Sequence, residues 1–182
     1  MADTITPSQK TIQTSRLLLR GTRPGEEIGL FIAFSDAEVM RYWSTLPHKS
    51  ISDTETWISK MIASPQNGIT DFIIVDQSSN NAIGKIGIWS GNEIGFTIAR
   101  EYWRKGIVSE ALNALLPYYF DELGYESITA DADPRNEASI AILKKFGFVV
   151  TGTREKTFEI GGVWVDSVDL EFKREDWAKS TK

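Results

Sequence analysis

The chain has no cysteine and a single histidine, His48. The first lack excludes disulfides, thiolate catalysis and cysteine-bound zinc. The second excludes a multi-histidine centre, so no metal is expected. Long apolar runs are missing too: nothing approaches the roughly 20 residues of a membrane span. The opening stretch MADTITPSQKTIQTS lacks the basic start and apolar core of a secretory leader. No Gly-x-x-x-x-Gly-Lys-Ser/Thr loop occurs, which disfavours a nucleotide hydrolase. Nor is there an excess of cations. Twenty Lys plus Arg stand against 25 Asp plus Glu, a net charge of −5, which argues against nucleic acid or an anionic membrane as partner and favours a cationic one. The expectation is a cytoplasmic protein of one domain, since 182 residues suffice to bury roughly 70% of the unfolded surface without staples.

What is present reads as alternating blocks of pattern. SRLLLRG (15–21) is a compact apolar strand stopped by Gly21 and Pro24. Apolar residues at helical spacing from Glu26 to Trp43 predict two short helices, with Asp36 capping the second. SDTETWISKMIA begins another helix, capped by Ser52 or Asp53 and ended by Pro65 to Gly68. The period then becomes two. TDFIIVDQ (70–77), AIGKIGIWS (82–90) and EIGFTIA (93–99) predict an antiparallel three-strand meander, because their short turns allow only hairpins. A helix follows Gly106, with Val108, Ala111, Leu112, Leu115 and Tyr119 on one face and a kink or break at Pro117. YESITADAD (125–133) is a strand placed to run parallel to EIGFTIA across that helix. Asn136 to Phe146 is a short helix closed by Gly147, and a long hairpin turns at Gly161 and Gly162. The order predicts an α+β fold, a mixed and mostly antiparallel sheet with helices on both faces. Residues 1–14 are expected to be flexible, 15–172 to form the domain, and the charged tail 173–182 to fray.

Residues 92–112, NEIGFTIAREYWRKGIVSEAL, are the densest in chemical content. A strand runs into a glycine-marked helix start flanked by Arg104 and Lys105. The unpaired N–H groups of a first helical turn, with the helix dipole behind them, form a ready site for a phosphate.

The chain resembles the GNAT superfamily of N-acetyltransferases, in particular its Rim-type branch, which includes acetylases of ribosomal-protein N-termini. The resemblance rests on TSRLLLRG, DAEVMRYW with Trp57 in the next helix, EIGFTIAREYWRKGIVSEAL, ADADPRNEASIAILKKFGFVVTG and VWVDSVDLEF, in that order over residues 15–172. It implies a GNAT-like domain with a central pair of strands that splay apart, and acetyl-CoA as cosubstrate. The pantetheine arm would pair with Phe96, Thr97 and Ile98, as an added strand does. The pyrophosphate would lie on the amides of Arg104, Lys105, Gly106, Ile107, Val108 and Ser109, and Asn136 would contact the arm. The family's phosphate pattern has Gly or Ala where this chain has Val108, a branched side chain expected to narrow or reshape that site. Leu143 stands where many relatives carry a tyrosine acid. The Asn-x-x-Ser pattern of the Rim branch is kept as Asn136 and Ser139.

The reaction implied is direct attack of a primary amine, from a protein N-terminus or a small molecule, on the thioester. Ser139 is the candidate donor to the leaving thiolate. Its alternative is a serine hydrogen-bonded back to its own helix. Glu93 and Asp133 are the leading candidates for the base, beside Asp131 and His48, and each is equally readable as a solvated strand-end or loop residue. Arg41, Tyr42, Trp43, His48 and Trp57 would line the amine side, or else belong to the core. The protein is expected to be a monomer or homodimer. A non-catalytic acyl-CoA-binding or regulatory module is the alternative function.

Overall fold

A computed structural model describes residues 10–63 and 70–180. Its strands are β1 (Ile12–Gln13), β2 (Leu17–Arg20), β3 (Thr70–Asp76), β4 (Asn81–Ser90), β5 (Glu93–Ile98), β6 (Ser127–Ala132), β7 (Val149–Ile160) and β8 (Val163–Lys173). They form one sheet in the order β1-β2-β3-β4-β5-β6-β8-β7. The helices are α1 (Glu27–Phe34), α2 (Ile51–Ala63), α3 (Ile107–Pro117), α4 (Glu137–Lys145) and α5 (Arg174–Ser180).

Side chains alternate across a strand, so a strand apolar at every position must be buried on both faces. β3 does this. Phe72 and Ile74 join a core with Leu17, Leu19, Ile94, Ile98, Leu112 and Leu115. Ile73 and Val75 turn the other way, to Leu30, Phe34 and Ile58. α3 therefore covers one face, and α1 with α2 the other. α1 lies so close on β4 that a Cβ at Gly29 would stand 2.4 Å from the Ala82 carbonyl oxygen, which only glycine tolerates.

The predicted meander is present as β3, β4 and β5, all antiparallel. Only β5 and β6 are parallel, and they are bridged at a single point, Glu93 opposite Thr129. Asn92 locks that point: its carbonyl accepts the Thr129 N–H at 2.9 Å, and its side-chain amide donates to Ser127 O and Oγ, each at 3.1 Å. Beyond it the strands run on to Ile98 and Ala132 without pairing, so the sheet opens at its centre.

Four expectations need correction. Asp36 does cap, accepting the Glu38 N–H at 2.8 Å, but the chain beyond it forms turns and bends rather than a second helix. Asp53 lies inside the first turn of α2 and reaches back to the N–H groups of Lys49 and Ser50 instead of capping from outside. The tail does not fray along its length. It forms α5, because Trp177 stacks on Phe120 with ring centroids 5.7 Å apart and donates to Asp121 at 2.9 Å. Within the segment expected to be flexible, Lys10 pairs with Glu122 at 2.6 Å and β1 pairs with β2. At Pro117 the α-helix gives way to a single π-helical turn, Tyr118–Glu122, closed by the Leu123 N–H on the Tyr118 carbonyl at 3.0 Å. Pro65 to Gly68 lie outside the described residues.

Candidate active site

The opening between β5 and β6 is lined by backbone. The Ala99 N–H is bound to Ile83 of β4, and successive N–H groups along a strand point in opposite directions. The N–H groups of Phe96 and Ile98 therefore face the opening, while that of Thr97 faces β4. The Ile98 carbonyl, on the same side, accepts the indole N–H of Trp103 at 2.9 Å, so Trp103 stands at the mouth. Thr97 sends its hydroxyl to the α1 and α2 face, where the oxygen is buried without a partner.

Beyond the mouth the backbone turns twice through left-handed geometry, at Arg104 (φ 59°) and Gly106 (φ 75°), and enters α3. Among the described residues no side chain caps α3, whereas α4 is capped by the Asn136 oxygen, which accepts the Ser139 N–H at 3.2 Å. A bare helix start facing an opening lined by N–H groups fits an extended ligand that ends in phosphates. Lys105 lies over the Tyr102 ring at 5.5 Å. Ile107 is buried, and Ser109 is partly exposed. Val108 is partly buried and packs against the core.

The candidate bases separate. Glu93 is half-buried at the closed end of the opening, and burial holds its carboxyl above the usual range. The Trp89 indole, which donates to it at 3.2 Å, lowers it in part, and nearby Asp131 raises it. Asp133 is held differently: burial would raise its carboxyl, but Arg135 grips it through backbone and guanidinium at 2.8, 2.9 and 2.5 Å and leaves it below its usual range. Asp131 is paired with Arg154 at 2.7 Å, as is Asp169. His48 is no free loop residue. Its Nδ1 is tied to Thr54 at 2.8 Å, its ring meets the edge of Phe34, and burial lowers its basicity.

Ser139 is half-exposed on α4, and its hydroxyl makes no hydrogen bond back to the helix among the described residues. Leu143 is buried below it. Tyr42 lies between the guanidinium groups of Arg41 and Arg135, at 5.3 and 5.8 Å. Trp43 and Trp57 pack on the second core, and their rings flank the Lys85 ammonium at 5.5 and 5.6 Å. The sequence motifs do not single out Lys85. It is paired in register with Thr97 and forms a buried ion pair with Asp71 at 2.5 Å. A signal exists: a lysine interrupts the apolar run AIGKIGIW, with an aspartate at the head of the neighbouring strand.

Residues 16–149 match the family model described as an acetyltransferase (GNAT) domain. The uncharacterized N-acetyltransferase YoaA of Bacillus subtilis (strain 168) is 33% identical over 149 residues, covering 78% of this chain and 84% of that protein. The crystal structure of a GNAT-family acetyltransferase from Bacillus anthracis matches with a TM-score of 0.79 at 27% identity, over 91% of this chain and 99% of the other. Ribosomal-protein-S5-alanine acetyltransferase from Vibrio fischeri shares the fold, with a TM-score of 0.78 at 22% identity over 92% and 98% of the two chains.

Proposed function

The chain belongs to the GNAT family of acetyltransferases and is an acetyl-CoA-dependent N-acetyltransferase; from that premise we propose that its acceptor is a positively charged primary amine, bound on the sheet face shared with α1 and α2. The observation that carries this reading is the sheet opened at a single bridge, with Glu93 at its closed end and the bare start of α3 beside its mouth.

Acetyl-CoA supplies an activated acyl group whose leaving thiolate, with a pKa near 8.5 if it behaves as a cysteine thiol, is a fair one near neutral pH. The protein supplies position. The N–H groups of Phe96 and Ile98 hold the arm as an added strand would, and the one near the thioester serves as a fixed dipole toward its oxygen. The loop from Arg104 to Ser109 takes the phosphates. Glu93 draws the proton from the amine, directly or through a water, and its raised carboxyl suits that task. Ser139 donates toward the sulfur.

The sign of the acceptor follows from charge. By alternation, Glu93, Asp131 and Asp169 share the sheet face opposite α3, and Arg154 is ion-paired with the last two while its charge also reaches Glu93. Three carboxylates against one guanidinium favour a cation. An α-amino group, with a pKa of about 7.7 to 8.0, needs less help from a base than a lysine-like amine at about 10.4.

The test follows free thiol with acetyl-CoA and three acceptors: a polyamine, a neutral-tailed monoamine and peptides with free N-termini. The reading expects turnover that falls when the acceptor loses its charge away from the reacting amine. Turnover on none of them, with CoA bound, would point to the non-catalytic alternative.

A further inference from the structure

We propose that Arg16, which precedes β2 and lies far in sequence from the phosphate loop, is the residue that sets that loop's geometry. This rests on the reading that the pyrophosphate of CoA lies at the start of α3.

The side chain of Arg16 makes two bonds to the loop and its helix. Nε donates to Glu110 Oε2 at 2.6 Å, in the first turn of α3. Nη1 donates to the carbonyl of Lys105 at 2.8 Å. Nη2 is 3.6 Å from the point where a Cβ on Gly106 would stand. One planar fork thus spans the residue before the helix and the turn after it.

The bond to Lys105 has a geometric consequence. No cis peptide occurs among the described residues, and in a trans peptide the C=O and the following N–H point in opposite directions. With the Lys105 carbonyl held toward Arg16, the Gly106 N–H is turned away from it, out of the loop. Left-handed geometry at Gly106 then leads directly into the first turn, which has no side-chain cap among the described residues. Without Arg16 that peptide plane has no anchor.

The bond to Glu110 solves a second problem. A carboxylate in the first turn suits the helix dipole but repels a phosphate at the same place. Here its charge is fully engaged. Oε1 accepts from the Thr14 hydroxyl at 2.5 Å, the Ser15 hydroxyl at 3.0 Å and the Arg16 N–H at 2.9 Å, while Oε2 takes the guanidinium. These donors hold the carboxyl at a pKa of about 2 against the raising effect of its burial. Thr14, Ser15 and Arg16 therefore act as one clamp that joins the start of β2 to the phosphate loop.

The experiment is calorimetric binding of CoA, dephospho-CoA and pantetheine to the wild type, Arg16→Met and Arg16→Lys, with the melting temperature of each recorded. Arg16→Met is expected to weaken CoA and dephospho-CoA alike by tenfold or more and to leave pantetheine unchanged. Arg16→Lys, which keeps the charge but cannot bridge two sites, is expected to recover only part of the loss. Three results would overturn the proposal: equal weakening of pantetheine, which marks general distortion; a loss with CoA but not dephospho-CoA, which puts Arg16 at the ribose phosphate; or no loss in a folded variant. Wild-type protein that fails to bind CoA at all would refute the underlying reading instead.

Discussion

Lys85→Met is the substitution whose cost follows most directly from packing. Lys85 and Asp71 lie on neighbouring strands, with side chains 7% and 2% exposed and a contact of 2.5 Å. The second carboxylate oxygen of Asp71 is buried without a partner, so among the described residues the lysine is the carboxylate's only hydrogen-bonded compensation. Removing one member of such a pair leaves an uncompensated buried charge and costs about 3 to 5 kcal/mol. Loss of the ammonium from between Trp43 and Trp57 adds roughly 0.5 to 2 kcal/mol. At about 2 to 4 °C per kcal/mol for a chain of this size, the melting temperature should fall by roughly 7 to 28 °C. The double variant Lys85→Met with Asp71→Leu removes both charges and the orphaned oxygen, and should lie within about 1 kcal/mol of wild type. Urea unfolding followed by tryptophan fluorescence measures the wild type, Lys85→Met, Asp71→Leu and the double variant. A single variant that loses under about 1 kcal/mol, or a double variant that costs the sum of the singles, would refute the argument.

Other expectations rest on the same geometry. Gly106→Glu should weaken CoA roughly ten- to a hundredfold, through charge set against the helix start and a left-handed backbone that a side chain strains; unchanged affinity in calorimetry would put the phosphates elsewhere. Glu93→Gln should lower turnover and abolish the rise of rate with pH that comes from ionising a carboxyl held above its usual range; a pH profile that keeps its acidic limb would assign that limb to another group. Glu110 has its pKa lowered from 4.5 to about 2 in the folded protein. Its stabilisation is thus complete above the unfolded value and lost as pH falls through about 2, and discounted for partial exposure it amounts to roughly 2 to 3 kcal/mol. Glu110→Gln should therefore flatten the acid limb of stability measured between pH 5 and pH 2, and an unaltered limb would count against it.

The strands were legible because their signals are local. β3, β4 and β5 alternate or run apolar between turn residues, and the helix opening at Gly106 follows from a single residue that tolerates φ 75°. The features that needed the structure are long-range. The length of the tail gave no sign that Trp177 has a slot beside Phe120. Helical spacing after Asp36 could not show that the chain would be drawn off after one turn. Among the candidate bases, Glu93 and Asp133 look alike in sequence, each a carboxylate at a strand end. Arg135, two residues beyond Asp133, separates them by occupying its carboxylate. The pairing of Arg16 with Glu110 spans 94 positions, and no periodicity carries information across that distance.

The single bridge between β5 and β6 divides the sheet into two lobes, each nearly continuous in the chain: residues 12–98 carry one and 127–173 the other. Among the described strands no other backbone ladder crosses between them, so the angle between the lobes is that of a hinge with Asn92 as its pin and α3 as its strap. Among the described residues such a sheet holds two interior edges that share no ladder beyond that bridge, and their hydrogen exchange reports the hinge directly. Slow exchange at Phe96 and Ile98 on adding CoA, with the β3 and β4 amides unaffected, would be the trace of a ligand acting as the missing strand.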